Sequence, residues 1–229
     1  ILGYPLQWLV NGVSIYGPSP GPSRSHATSL ARNQNPQRPS RVIMKRPDQR
    51  TVCVFAGSSL GARPGYRDAA KTLGQRLVTR GFDVVYGGGN IGLMGTLADT
   101  VLADGGRVTG VIPRHLVHQE IVHQDLTELH VVETMHERKA LMSDLADCFI
   151  ALPGGLGTLD ELFEVLTWAQ LGLHVKPCGL LNIDHFFDRV VSVIDHAVDE
   201  QFVASGYRNK MLVTSEVDRL LDRLSIGIT

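Results

Sequence analysis

The stretch from Thr51 to Gly95, TVCVFAGSSLGARPGYRDAAKTLGQRLVTRGFDVVYGGGNIGLMG, decides the fold class. It opens with a short β-branched run that ends at Gly57, and a second apolar run at 82–86 ends in three glycines. Between these runs, residues 64–80 carry apolar side chains at helical spacing. Short apolar runs bounded by glycine predict buried strands, and the amphipathic segment between them predicts a crossover helix. The stretch therefore predicts a strand–helix–strand unit of an α/β fold.

The same alternation continues along the chain, with further predicted strands at 107–112, 129–132, 147–152 and 178–182, and further predicted helices at 91–103, 134–146, 158–171, 186–199 and 215–224. We predict a loop or a short helix for 114–127, which is polar and rich in histidine. The strands are apolar on both faces, as expected when helices cover both sides of a parallel sheet. We therefore predict one Rossmann-like domain at 51–229, a doubly wound parallel α/β sheet of six or seven strands whose last strand is 178–182.

The composition excludes several classes of protein. Hydrophobic residues make up 43% and charged residues 20% of the chain, and the formal net charge is −1. This composition is globular and gives no reason to expect a nucleic-acid partner. No apolar run approaches the roughly 20 residues that span a bilayer, so we predict no membrane partner. The three cysteines, Cys53, Cys148 and Cys178, lack a CxxC spacing, and Cys53 and Cys148 lie in apolar runs that predict inert core positions.

Residues 1–50 differ from the rest of the chain. They hold seven of the eleven prolines and seven basic residues against Asp48 alone, and 17–41 shows almost no apolar periodicity. Such a segment cannot bury enough apolar surface to offset its chain entropy, so we interpret 1–50 as a disordered leader. An Arg- and Ser-rich transit peptide is one alternative. The interpretation that we favour is upstream sequence ahead of a natural start at Met44.

Four segments that could bind a ligand follow predicted strands, at 57–59, 87–95, 135–139 and 153–161. Ligands of doubly wound sheets bind at the carboxyl ends of strands. In PGGLGTLDE (153–161), glycines let backbone N–H groups approach an anion, and the following helix presents unpaired N–H groups. We expect Thr158 to cap that helix and to donate its hydroxyl to a phosphate, with Glu161 one turn later. One such turn could be purely structural, but four at different strand ends favour a phosphate-bearing ligand.

The motifs of the common nucleotide-binding classes are absent from the sequence. GGGNIGLMG (87–95) does not follow the first strand, and no acidic residue stands at the ribose-binding distance, so we do not predict NAD. A GxxxxGK[ST] phosphate loop is also missing. Arg138 and Lys139 lie just inside a predicted helix start, where cations are unfavourable, so they form either a solvated charge pair or a contact to a bound anion or nucleobase. His115, His118, His123 and His130 are spread over a polar segment and predict a loosely exposed set, not a zinc site.

MHERKALM (135–142) and PGGLGTLDE (153–161) together resemble the Lonely Guy family of cytokinin riboside 5'-monophosphate phosphoribohydrolases. CVFAGSS (53–59) and VVYGGGNIGLMG (84–95) are similar to further segments of that family, and the resemblance extends from residue 51 to about 225. Members are often labelled lysine decarboxylases, but the sequence offers no recognisable PLP-lysine context. The resemblance implies hydrolysis of the N-glycosidic bond of AMP or an N6-substituted AMP, in a cytoplasmic homodimer with the 158–171 helix near the partner chain.

The resemblance also implies the roles of individual residues. Arg138 and Glu161 would be the catalytic pair. The 5'-phosphate would be held by Gly154, Gly155, Gly157 and Thr158, and the nucleotide site would be lined by Ser58, Gly88, Met135 and Lys139. No metal or cofactor is implied. Three alternatives remain open: a carrier that holds a nucleotide or a phosphorylated pterin cofactor without cleaving it, a broader nucleotide nucleosidase of salvage, and a structural interaction protein.

Overall fold

The computed structural model describes residues 50–117 and 122–227. The described residues form one seven-stranded sheet, all of whose strand pairs are parallel, in the order β4-β3-β2-β1-β5-β6-β7. The strands are β1 (Arg50–Phe55), β2 (Phe82–Tyr86), β3 (Val108–Pro113), β4 (Glu128–Val132), β5 (Cys148–Ala151), β6 (Cys178–Leu181) and β7 (Met211–Thr214). The helices are α1 (Pro64–Thr79), α2 (Gly92–Ala103), α3 (Met135–Leu145), α4 (Leu156–Gln170), α5 (Asp188–Asp199), α6 (Ser205–Arg208) and α7 (Val217–Ile226), and short 3-10 helices lie at Arg114–Leu116 and Ile183–His185.

This architecture confirms the predicted doubly wound parallel sheet, with one difference in its strands. The prediction that 178–182 is the last strand was wrong, because β7 follows it and pairs with β6 from Cys178↔Met211 to Leu181↔Thr214. The MLVT run of β7 is too short to distinguish from a loop by periodicity, and its place at the edge of the sheet comes from tertiary packing. The predicted leader lies outside the described residues, apart from Arg50, which begins β1.

Helices cover both faces of the sheet, and alternate residues of each strand point to opposite faces. In β1, Val52 and Val54 belong to the apolar cluster beneath α1, α2 and α7, which includes Leu73, Leu97 and Leu220. Cys53 and Phe55 belong to the cluster beneath α3, α4 and α5, which includes Met142, Leu162 and Phe187. Each fully buried Leu or Phe contributes about 1.5–3 kcal/mol of hydrophobic stabilisation, so both clusters hold the helices against the sheet.

The cysteines lie in this core, as predicted for Cys53 and Cys148. All three are free and buried. Burial raises the pKa of the Cys53 thiol well above its usual range and the pKa of Cys178 to about 12. Since the thiolate is the reactive form, both groups remain protonated and unreactive near neutral pH. Among the described residues, no helix is long and apolar enough to cross a membrane.

The chain reverses its direction of progress through the sheet between β1 and β5, and three loops meet there. The Gly57 N–H donates to the Pro153 carbonyl at 3.1 Å, and the Gly57 carbonyl accepts the Leu93 N–H at 2.9 Å. Gly92 has a φ of +65°, and a Cβ at this position would overlap the backbone of Ser58 and Ser59. The loops after β1, β2 and β5 are therefore packed backbone against backbone at the topological switch point, where sheets of this kind bind ligands.

We expect Gly92→Ala to be strongly destabilising. Gly81 provides a matched control, because its φ is +71° but the space around its Cβ position is open. Gly81→Ala should lower the free energy of unfolding by about 1 kcal/mol, which is the cost of the left-handed conformation alone. Gly92→Ala should cost roughly 2 kcal/mol more, because the Cβ meets backbone that cannot move aside. Urea unfolding measures both values, and equal losses would show that the loops are not tightly packed at this point.

Candidate active site

The start of α3 is fixed by reciprocal capping. The Thr134 hydroxyl accepts the Glu137 N–H at 3.1 Å, and the Glu137 carboxylate accepts the Glu133 N–H at 2.9 Å. The first bond satisfies a donor that the first turn of a helix leaves unpaired, and the second ties the residue before the N-cap to that turn, so together they set the direction in which the chain enters the helix. Arg138, the next residue, is thereby aimed at the sheet, where its side chain is buried.

Arg138 lies beneath the carboxyl ends of β2 and β3. It is only 6% exposed, its Nε donates to the Val111 carbonyl at 3.1 Å, and its Nη2 donates to the Gly87 carbonyl at 2.9 Å. A Cβ at position 87 would overlap Nη2, so any larger residue there would displace the guanidinium from this position. The prediction of a solvated charge is therefore excluded for Arg138. A guanidinium has five N–H donors, and two of them are directed at these carbonyls.

Glu161 lies in the second turn of α4 and is half-buried. It lines a small recess together with Phe55, Lys139, Met142, Ser143, Phe149, Glu164 and Val165. Burial is the main cause of the raised pKa of Cys53, but the Glu161 carboxylate raises that pKa further and the Arg138 guanidinium lowers it. Both charges therefore act on the same buried atom of β1, one from α4 and one from α3. The structure brings the predicted pair to the same end of the sheet.

Lys139 points toward α4. Its Nζ lies 3.1 Å from a carboxylate oxygen of Asp160 and 3.1 Å from one of Glu164. Burial lowers the pKa of Lys139, but the bonds to Glu164 and Asp160 outweigh it, so the pKa is raised above its ordinary value. The ammonium group is charged at neutral pH and engaged by α4. Sequence reasoning missed both carboxylates, although they are four residues apart in α4, the spacing at which a helix repeats its face.

The turn before α4 departs from the prediction in one respect. The helix begins at Leu156 and its N-cap is Gly155, which makes no side-chain cap bond, so the expectation that Thr158 caps the helix was wrong. Thr158 is instead buried inside the first turn, against Gly154. Gly155 and Gly157 are exposed, with open space around their Cβ positions. The first N–H groups of α4 have no partner within the helix, which makes the turn suited to an anion.

The remaining predicted binding residues, Ser58, Met135 and Gly88, differ in how deeply they are buried. Ser58 is exposed after β1, and Met135 is half-buried, with its sulfur 3.8 Å from Nη1 of Arg138. Gly88 is buried with a φ of +83°, and its carbonyl accepts the His123 N–H at 3.1 Å. Ser58 and Met135 thus reach the surface, whereas Gly88 lies in the buried part of the loop between β2 and α2.

The histidines do not form the loosely exposed set that the sequence suggested. His123 is buried, with Nε2 3.0 Å from Asp99 and Nδ1 accepting the Asp125 N–H. His130 is half-buried and His115 is exposed, whereas His118 lies outside the described residues. Within 50–117 and 122–227, no three His, Cys, Asp or Glu side chains are grouped so as to hold a metal. His123 instead ties the 122–125 segment to α2 and to Gly88, a role that spacing alone does not reveal.

A doubly wound parallel sheet with a glycine-rich turn and a helix N-terminus at its switch point defines a Rossmann-like fold. A family model described as "Possible lysine decarboxylase" matches residues 94–224. The chain is 50% identical over 175 residues to cytokinin riboside 5'-monophosphate phosphoribohydrolase LOG2 of Arabidopsis thaliana, covering 76% of this chain and 82% of that protein. It is 51% identical over 172 residues to the enzyme LOG of Oryza sativa subsp. japonica, covering 75% and 71%. The chain belongs to the Lonely Guy family.

Solved structures with the same fold include a molybdenum cofactor binding protein from Rippkaea orientalis, with a TM-score of 0.61 and 23% identity over 80% of this chain and all of that one. The molybdenum cofactor carrier protein of Chlamydomonas reinhardtii is similar, with a TM-score of 0.62 and 17% identity over 79% of this chain and 98% of that one. At this level of identity, the likeness concerns the fold alone.

We expect Arg138→Lys to destabilise the fold although it keeps the charge. A single ammonium cannot reproduce the forked geometry that reaches the Gly87 and Val111 carbonyls together. A buried acceptor left without a donor costs about 1–3 kcal/mol of unfolding free energy. The matched control is Arg114→Lys: Arg114 pairs with Glu133 on the exposed surface, so this change should leave the free energy of unfolding nearly unaltered. Urea unfolding compares the two, and a silent Arg138→Lys would contradict this assignment of its bonds.

Proposed function

We propose that the protein hydrolyses the N-glycosidic bond of AMP or of N6-substituted (cytokinin) adenosine monophosphates, giving the free base and ribose 5-phosphate. The observation that carries this proposal is the identity of about 50% to named phosphoribohydrolases across nearly the whole domain. The arrangement of a phosphate-type turn, a carboxylate and a guanidinium at one edge of the sheet supports the same chemistry.

In this proposal, Glu161 and Arg138 are the catalytic pair. Glycosidic cleavage passes through an oxocarbenium-like state, which a nearby carboxylate stabilises. Glu161 would also orient or deprotonate the water, whose oxygen bonds to C1' as the bond from C1' to the base breaks. The leaving base takes up the electron pair of that bond and a proton. The Arg138 guanidinium would stabilise the negative charge that develops on the base, because its buried fork is already fixed in place.

The turn before α4 would hold the 5'-phosphate. Gly155 and Gly157 leave the backbone accessible, Gly154 allows close packing, and the Thr158 hydroxyl lies in the first turn. The N-terminal N–H groups of a helix of this length attract an anion by hydrogen bonding and by the helix dipole. Binding energy gained at the phosphate would then orient the ribose toward Glu161, which explains why a monophosphate and not a nucleoside would be the substrate.

The base and ribose would lie between the loops after β1, β2 and β4. Ser58 would contact the nucleotide from the end of β1, and Gly88 would shape the loop below it. Met135 would offer its thioether to the base as an adaptable apolar surface. Lys139 would line the recess beside Glu161. No metal or cofactor takes part in this scheme.

Glu161→Gln should abolish turnover and leave nucleotide binding largely intact, because the amide keeps the shape of the side chain but not its charge. We expect kcat for base release from AMP to fall by about 10²–10⁴-fold. Chromatography of the free base measures turnover from AMP and isopentenyladenosine monophosphate, with adenosine as the substrate control. Glu200→Gln, which changes an exposed carboxylate after α5, is the control variant.

Full activity of Glu161→Gln would remove this residue from the mechanism. Absence of base release by the wild-type protein, with AMP still bound, would replace the hydrolase with the carrier alternative. Release from adenosine at the same rate as from AMP would contradict the role of the phosphate turn.

We also propose that the protein works as a homodimer through the exposed apolar surface of α4 and the turn that follows it. Phe163, Leu171, Leu173 and Val175 are exposed, and Val175 is 92% accessible. Contiguous apolar side chains in water favour association, and a second copy of the chain presents the same surface in a two-fold arrangement. The three free cysteines fit the reducing cytoplasm, where we place the protein.

The double substitution Leu173→Glu and Val175→Glu should convert a dimer into a monomer, because like charges would face each other across the two-fold axis. Light scattering coupled to gel filtration measures the mass. Ile226→Glu, which changes an exposed apolar residue of α7, should leave the mass unchanged. A wild-type mass of a single chain would refute the dimer.

A further inference from the structure

Lys139 connects the two helices that carry the proposed catalytic pair. It follows Arg138 in α3, and its two ion-pair partners, Asp160 and Glu164, flank Glu161 in α4. The apolar contacts of both helices are directed at the sheet, as in the cluster that includes Met142 and Leu162. The Lys139 ammonium is the polar link that runs from one helix to the other.

This link lies in surroundings where charge pairing is effective. The Lys139 side chain is 11% exposed and that of Glu164 is 21% exposed, whereas Asp160 is 59% exposed. Ion pairs shielded from water are screened less by solvent and salt than pairs on the open surface. The contact to Glu164 should therefore be the stronger one. Without Lys139, the carboxylates of Asp160 and Glu164, four residues apart in α4, would repel each other.

We infer that Lys139 is a positioning residue that fixes α3 against α4 and thereby sets Glu161 relative to Arg138. This inference rests on the proposed hydrolase function. It changes the role that the family resemblance implies for Lys139, because two carboxylates of the same chain already engage an ammonium that has three N–H donors. Lys139 thus lines the recess with its aliphatic stem and acts on the reaction through Glu161.

The test separates positioning from substrate binding. Lys139→Met keeps the stem and removes the charge. If Lys139 positions Glu161, kcat for AMP should fall roughly 10- to 100-fold while KM stays within about twofold, because a displaced catalytic group affects the transition state and not ground-state binding. If Lys139 binds the nucleotide directly, KM should rise instead, and the inference fails.

Charge exchange provides the second measurement. In the double variant Lys139→Glu and Glu164→Lys, the lysine at 164 lies between the new carboxylate at 139 and Asp160, four residues earlier on the same helix. One cation again joins two carboxylates, so kcat should return to within about fivefold of wild type. A double variant as impaired as Lys139→Met would overturn the inference, since a substrate contact of the Lys139 ammonium cannot be restored from α4.

Arg80→Met is the matched control. Arg80 also joins two carboxylates of a neighbouring helix, Asp218 and Asp222 of α7, but on the other face of the sheet, and its side chain is 28% exposed. Thermal unfolding should show a similar loss of stability for Arg80→Met and Lys139→Met, with kcat reduced in Lys139→Met alone. Equal kcat losses in both variants would mean that Lys139 serves stability only.

Single changes in the carboxylates keep the inference testable if Lys139→Met does not fold. Glu164→Gln should reduce kcat more than Asp160→Asn, because Glu164 is the more buried partner. The reverse order would contradict the inference. Inactivity of the wild-type protein toward every monophosphate would refute the proposed function itself, and it is distinguished from these outcomes because it appears before any substitution is made.

Discussion

The rest of the site depends on the two backbone hydrogen bonds of Gly57. Its N–H is bonded to the loop after β5 and its carbonyl to the first turn of α2, so the ends of β1, β2 and β5 are held by one residue. A side chain there would press on the Cα of Gly154 at 3.1 Å. The turn before α4 and the loop between β2 and α2, whose Gly87 carbonyl accepts Arg138, are therefore joined through the backbone of Gly57.

The buried Arg138 guanidinium connects α3 to the ends of β2 and β3. A guanidinium that leaves water must find acceptors, and Arg138 finds them in the carbonyl of Gly87, directly after β2, and the carbonyl of Val111, within β3. The acceptors are held in turn, since the next carbonyls of the same loop accept the His123 N–H and the Tyr86 hydroxyl. The glycines of this loop thus serve packing and hydrogen bonding within the protein. Gly155 and Gly157 of the α4 turn, in contrast, are exposed and have open space around their Cβ positions.

The sequence predicted the sheet and the position of the candidate site. The features that it did not predict, β7 and the partners of Lys139, both depend on tertiary packing. Strand and helix periodicity predicted the doubly wound sheet, because burial on both faces leaves a direct pattern in the chain. The same pattern did not predict β7, whose four residues depend on the neighbouring β6. Motif spacing placed Arg138 and Glu161 at one edge of the sheet, but it did not show that Lys139 engages Asp160 and Glu164. Ion pairs between two helices depend on how the helices pack against each other, and the sequence of either helix alone does not determine that packing.

The charges of the site are arranged in the order that the proposed reaction needs. In that proposed reaction, the N-terminus of α4 would offer a positive potential to the phosphate, and Glu161, one turn further along the same helix, would offer a negative one to a ribose that develops positive charge. Asp160 and Glu164 add two further negative charges beside Glu161, and Lys139 pairs with both of them from α3. Arg138 and Lys139 stand in the first turns of α3, where the helix dipole disfavours cations. Two backbone carbonyls offset that penalty for Arg138, and the Asp160 and Glu164 carboxylates offset it for Lys139. Each cation therefore occupies an unfavourable position in α3 because it has partners outside that helix.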